Sequence, residues 1–198
     1  YLREEALNMP GAGSYTTRPF GVLTFRGDAF RQNAAQGTVT GNLSSMSLAW
    51  SAETGHMDAA SNTYYGAGVY SQPAIVQWSK EVRESSDMFA EKKAVTAIKE
   101  VIVAGLDGKI YFLDLSDGTP TREAINLGYP MRSAPSIHSL GYPIMSVGQF
   151  ARKVKGKANE IGLRTYSLID STQKYLVDGL DKNAFGETGA FDTSALFD

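Results

Sequence analysis

Cysteine is absent from the 198 residues, which excludes a disulfide framework, a thiolate nucleophile and a thiolate metal site. That absence leaves the compartment open. Histidine occurs twice, at His56 and His138, without a Cys or second His at ligand spacing, so no zinc site is expected. No stretch comes near the roughly 20 consecutive apolar residues that a spanning helix needs, and no membrane span is expected. Charge of one sign is lacking too. Nineteen Lys and Arg stand against 21 Asp and Glu, a net −2 that matches nucleic acid poorly. The chain opens at Tyr1 with neither Met nor a basic-then-apolar leader, which points to a processed or trimmed product.

What is present is a globular composition, with 42% hydrophobic residues and 20 glycines, enough to bury a core. Internal repetition is the main signal. Val69-Tyr70-Ser71-Gln72-Pro73-Ala74-Ile75-Val76 returns as Met131-Arg132-Ser133-Ala134-Pro135-Ser136-Ile137-His138, and again as Phe191 to Asp198. A hydroxyl residue keeps its place at Ser71, Ser133 and Thr193, in two steps of 62 and 60 residues.

Between these openings the same elements recur. Glu100 to Gly105 and Tyr142 to Gly148 are short apolar runs ending on Gly. Lys109 to Leu115 and Gly162 to Ile169 follow, closed by Ser116-Asp117-Gly118-Thr119 and Asp170-Ser171-Thr172-Gln173. Last strands are expected at Thr121 to Leu127 and Tyr175 to Leu180. Runs of four to eight residues rich in Val, Ile, Tyr, Phe and Thr, bounded by turn residues, read as β-strands. Asp107-Gly108 reads as a two-residue type I′ hairpin turn. Asp87 to Lys99 has helical character taken alone, but the repeat register makes Ser85 to about Lys93 an insertion between a first and second strand, with a short helical turn there as the second reading. Phe20 to Phe25 and Met46 to Ser51 read as further strands, and residues 1–19 as an extended arm.

The fold class is therefore all-β: four-stranded antiparallel blades of a β-propeller, with residues 20–198 as one domain opening near 69, 131 and 191. At about 61 residues per unit the chain holds about three blades, whereas propellers have 4 to 8. The remainder of the propeller, or a second chain, is expected to complete it.

Val101-Ile102-Val103-Ala104-Gly105-Leu106-Asp107-Gly108-Lys109-Ile110-Tyr111-Phe112-Leu113-Asp114-Leu115-Ser116-Asp117-Gly118 resembles the repeat of quinoprotein-like (PQQ-like) β-propellers. Thr24 to Asn33 is similar to the Phe-Arg-Gly-Asn/Asp opening before the first blade of such proteins. The family's usual Trp after the turn is replaced by Glu123-Ala124-Ile125 and Tyr175-Leu176-Val177. Its dehydrogenases carry adjacent cysteines over the cofactor and a calcium-bound Asp, and this chain has no cysteine. The resemblance implies architecture, and fold alone does not carry activity.

The remaining motifs have structural readings. Arg26-Gly27-Asp28 spells an integrin tripeptide but sits where the family opening places a turn. Asp107, Asp114 and Asp117 do not follow a calcium-loop order, and turn hydrogen bonding accounts for Asp107 and Asp117. Ser133 and His138 could be recruited to a triad, yet Ser133 is a repeat position. Asn42-Leu43-Ser44 is a formal glycosylation sequon. Gly11-Ala12-Gly13 and Gly66-Ala67-Gly68 stop short of a phosphate-binding loop. Arg152, Lys153, Lys155 and Lys157 form a basic run between two strands, suited to a solvated loop or an anionic polymer. Tyr64, Tyr65 and Tyr70 precede or enter an opening strand, where they could pack between blades, the stronger reading, or stack on sugar rings or peptide side chains at a channel mouth.

No catalytic set, metal site or cofactor is assigned. The reading is a non-catalytic binding or assembly scaffold of a secreted or surface-attached bacterial protein, with a protein or polysaccharide ligand. A PQQ-dependent oxidoreductase fragment and a carbohydrate-binding module are the alternatives.

Overall fold

The computed structural model describes residues 20–27, 31, 44–59, 62–183 and 188–197. The arm at 1–19 with Gly11-Ala12-Gly13, Asp28 of the tripeptide, Phe30, Gln32 and Asn33 of the family opening, Asn42-Leu43 of the sequon and Asp198 lie outside the described residues.

Antiparallel β-structure dominates, as the composition of the runs requires. One sheet has the order β1-β4-β5-β6-β7, built from Gly21–Val22, Ala74–Gln77, Lys99–Ala104, Lys109–Asp114 and Ile125–Asn126. A second has the order β11-β10-β9-β8, from Gln173–Asp178, Gly162–Ser167, Ile144–Gly148 and Ser136–Ile137. A small hairpin pairs β2 (His56–Asp58) with β3 (Thr63–Tyr65). Setting β1 aside, each sheet is a four-strand meander taken in chain order.

The two meanders are equivalent strand by strand. Ile75 faces Val101 across β4 and β5, and Ile137 faces Met145 across β8 and β9. Ala74 faces Ile102, and Ser136 faces Ser146. Successive side chains on a strand point to opposite faces, so register decides which face meets the core. In the first sheet the core takes Ala74, Val76, Ile102 and Ala104. In the second it takes Ile137, Met145 and Val147, the counterparts of Ile75, Val101 and Val103. Opposite faces of equivalent sheets thus share one hydrophobic cluster. The stacking is front to back.

Ile102 and Ile110 are fully buried in that cluster with Phe112, Tyr166 and Leu168. Each such side chain contributes about 1.5–3 kcal/mol on leaving water. The other face of the second sheet is a hydroxyl row. Ser146 and Thr165 bond across strands at 2.7 Å, and Ser136 meets Thr24 at 3.0 Å. Residues 20–24 tie the two sheets at one edge, since Gly21–Val22 pairs with β4 while Leu23 accepts a hydrogen bond from the Ile137 amide at 2.7 Å.

The openings of the second and third repeats share a backbone bond. The Met131 N–H donates to Gly105 and the Phe191 N–H donates to Gln149, the residue equivalent to Gly105. The third opening nevertheless forms no strand over its described residues 191–197. Other elements differ from their expected extents. The Phe20 to Phe25 run pairs only at Gly21–Val22, because Thr24 to Gly27 turns, with positive φ at Arg26 and Gly27. Met46 to Ser51 is not a strand. The Thr121 to Leu127 run shrinks to Ile125–Asn126, since Thr121 and Arg122 turn inward to buried Glu100. The Asp107-Gly108 turn is not type I′. Gly108 (φ +79°) donates to Gly105 and takes the left-handed position alone, leaving a four-residue loop, 105–108.

The insertion between β4 and β5 is longer than expected and holds two short helices, α1 (Lys80–Ser85) and α2 (Ala90–Lys93). The Ser79 hydroxyl caps α1 by accepting the Val82 N–H, and buried Arg83 donates to the carbonyls of Lys93, Val95 and Thr96. Lys92 of α2 ion-pairs with Asp114 at the end of β6 at 2.7 Å. Glu100, fully buried, accepts from Trp78 (2.7 Å), Thr121 and Arg122 (3.0 Å). Arg122 also donates to Asp87 at 2.8 Å and to the Leu168 carbonyl of the second sheet at 2.6 Å. Because a buried ion needs all its partners met, this cluster fixes the insertion and both sheets together.

Candidate functional site

The β5–β6 turn, the β7–β8 connection and the β9–β10 connection all emerge at one end of the stacked sheets. The segment before β4 joins them there. Between them lies a cleft of about 540 Å³ lined by Tyr64, Tyr65, Tyr70, Leu106, Arg132 and Phe150 among others. This falls within the roughly 300–1,000 Å³ of small-ligand sites.

The lining is repetitive in origin. Tyr70 and Arg132 occupy the same position in successive openings, and Leu106 and Phe150 follow the equivalent residues Gly105 and Gln149. Front-to-back stacking of equivalent sheets therefore brings equivalent loop positions to one cleft. The Arg132 guanidinium carbon lies 4.0 Å from the Phe150 ring centre and 5.2 Å from that of Tyr70. Tyr64 meets Phe150 edge to face at 6.3 Å. Tyr65, 64% exposed, and Tyr70, 71% exposed, leave most of their rings to solvent.

Beneath the cleft, Asp107 does more than close its own turn. Its Oδ2 accepts from the Gly55 N–H at 3.1 Å and from the Tyr111 hydroxyl, fixing the approach to the β2–β3 hairpin. Burial, followed by this bond to Asp107, pushes the Tyr111 phenol up to about 12. The hairpin is tied on its other side to the basic run, through the bridge between Ala59 and Val154. Arg152, Lys153, Lys155 and Lys157 lie in the β9–β10 connection, as the register of the sequence implied, and with Val154 and Asn159 they line a separate surface hollow.

The tyrosines are thus adjacent to one another, but not as expected. Tyr64 and Tyr65 belong to a separate hairpin, and Tyr70 precedes β4 rather than lying within it. Arg132, Leu106 and Phe150 went unrecognised in the sequence. The available signal was the mismatch of Tyr70 and Arg132 at one repeat position, since a position that changes character between copies faces away from the common core.

The other candidates disperse. Ser133 spends its hydroxyl on Gly148, accepting the N–H at 2.6 Å and donating to the carbonyl at 3.1 Å. His138 stacks against Tyr142 and Phe197, with Nδ1 accepting from Leu140 at 3.2 Å, and His56 lies against Tyr65. Asp117 accepts from Thr119, which holds its carboxyl below the usual range. Asp114 is occupied by Lys92 and Ser116. Gly27 lies in the Thr24–Gly27 turn, and Gly66 accepts the hairpin's return by donating to Gly55. Among the described residues no three of His, Cys, Asp and Glu converge as a metal ion requires. No helix is long and apolar enough to cross a membrane among the described residues.

No family model, curated protein or solved structure matches the chain.

Proposed function

We propose that the chain is part of a PQQ-like β-propeller acting as a non-catalytic binding or assembly scaffold in a secreted or surface-attached bacterial protein. Front-to-back contact between equivalent sheets carries this reading. Such a contact is head-to-tail, and head-to-tail contacts generate rings or open filaments. Propellers use four-stranded antiparallel sheets in this way, with 4 to 8 per ring. The described residues supply two, so further sheets of the same protein or of a second chain complete the ring.

Two observations support the reading. Trp50 lies over Gly118, where a Cβ would come within 2.5 Å of the indole, and its Nε1–H donates to Leu115 at 2.8 Å. An indole seated on a turn glycine packs the segment around Trp50 against the first sheet. The cleft at the loop end supplies a recognition surface of exposed rings and unspent charge. The location outside the cell rests on the family resemblance alone.

A quinoprotein oxidoreductase with its cofactor in the other blades is the competing class. Thermal unfolding with PQQ and calcium separates the two, because a ligand that binds only the native state raises apparent stability. The scaffold reading expects an unchanged transition, and stabilisation would overturn it. Sizing adds a second check, since a stable, closed, single-chain particle would contradict a partial ring.

A further inference from the structure

We propose that the cleft binds a carboxylated polysaccharide, with Arg132 gripping a uronate carboxylate. The inference rests on the scaffold reading and specifies the ligand class of its cleft.

Arg132 carries the argument. Its guanidinium plane is held by Phe150 at 4.0 Å and Tyr70 at 5.2 Å, a cation–π arrangement that fixes orientation without using a single N–H. Among the described residues no hydrogen bond or ion pair to protein engages its donors. Arginines packed deeper in the fold behave otherwise: Arg122 and Arg164 donate to carbonyl, amide or carboxylate oxygens, and Arg83 donates to carbonyls through both terminal nitrogens. A planar fork, pre-oriented and unspent, matches a carboxylate in bidentate geometry.

The surroundings select a sugar polymer. Tyr65 and Tyr70 offer exposed flat faces, suited to the apolar C–H face of a pyranose. Arg152, Lys153, Lys155 and Lys157 continue positive charge beyond the cleft, and none of them is ion-paired among the described residues. A polymer bearing one carboxylate per ring is expected to offer one to Arg132 and further ones to the separate hollow that this loop lines. Asp58 is the carboxylate on the described part of the hairpin, and its Oδ1 is engaged by Thr63 at 2.9 Å. The overall charge of −2 makes this basic margin a local feature.

The test is isothermal titration of the whole chain with hexagalacturonate, with neutral maltohexaose, with polyglutamate and with single-stranded DNA. Hexagalacturonate is expected to bind at least tenfold more tightly than the other three. Arg132→Lys keeps the charge but loses the fork, and is expected to weaken hexagalacturonate at least tenfold. Tyr65→Ala is expected to weaken it severalfold, with unfolding midpoints preserved. Absence of uronate binding, equal binding of maltohexaose, or preference for polyglutamate or DNA overturns the proposal. So does unchanged affinity in Arg132→Lys. If that variant fails to fold, the four wild-type titrations decide alone. The scaffold reading fails separately, through stabilisation by PQQ and calcium.

Discussion

The Phe191 amide donates to the Gln149 carbonyl at 3.0 Å and so repeats, one unit later, the bond from Met131 to Gly105. Gly148 makes this approach workable, because a Cβ there would sit 2.8 Å from the Phe191 Cβ and press on its carbonyl. Gly148→Ala is expected to dislodge residues 191–195 from the end of β9. Overpacking of this kind costs about 1–3 kcal/mol. Urea unfolding measures the loss, and the Phe191 amide should exchange with solvent markedly faster in the variant. Unaltered exchange would show that this segment is not docked.

Arg122 and Glu100 form a fully buried pair that also reaches Asp87 and the Leu168 carbonyl. Arg122→Ala strands a buried carboxylate, for which about 3–5 kcal/mol of destabilisation is expected. Because Arg122 joins both sheets, unfolding should remain a single transition at lower denaturant. Near-wild-type stability would mean the carboxylate finds water instead.

The Lys92–Asp114 pair sets a pH dependence. Burial works to raise the Asp114 carboxyl, but hydrogen bonds from Lys92 and Ser116 outweigh it and hold the carboxyl below its usual range. The unfolded chain therefore takes up this proton first. The contribution is complete above the ordinary carboxylate value of about 4 and is lost as pH falls through the lower, folded value. For Lys92, burial works to lower the ammonium, yet Asp114 holds it above its usual range. That part is complete below the ordinary lysine value and is lost as pH rises through the folded one. Asp114→Asn should cost about 1.5–3 kcal/mol at pH 7, the worth of a charge-assisted bond. In denaturation curves the gap to wild type should narrow as pH falls below the ordinary carboxylate value of about 4, and a gap independent of pH would refute the assignment.

Strands with a partner on both sides were the most legible in the sequence. Lys99–Ala104, Lys109–Asp114, Ile144–Gly148 and Gly162–Ser167 are dense in apolar and β-branched residues and end at turn chemistry. The run at Met46 to Ser51 has the same alternation, but Met46 and Leu48 are almost fully exposed, and a strand needs a neighbour as well as a pattern. Helix α1 was missed because six residues are too few for a 3.6-residue period. Its determinants are the Ser79 cap and the distant carbonyls that Arg83 collects. The cleft was half legible. Its tyrosines are local in sequence, whereas Arg132 and Phe150 are separated by 17 intervening residues and meet only through the topology.

Front-to-back stacking can be read directly from side-chain nuclear Overhauser contacts in a methyl-labelled sample. Contacts are expected from Ile102, Ile110 and Phe112 to Met145, Val147 and Tyr166. Contacts from those same residues to Ser146 and Thr165, on the hydroxyl face of the second sheet, would contradict the stacking and the scaffold built on it.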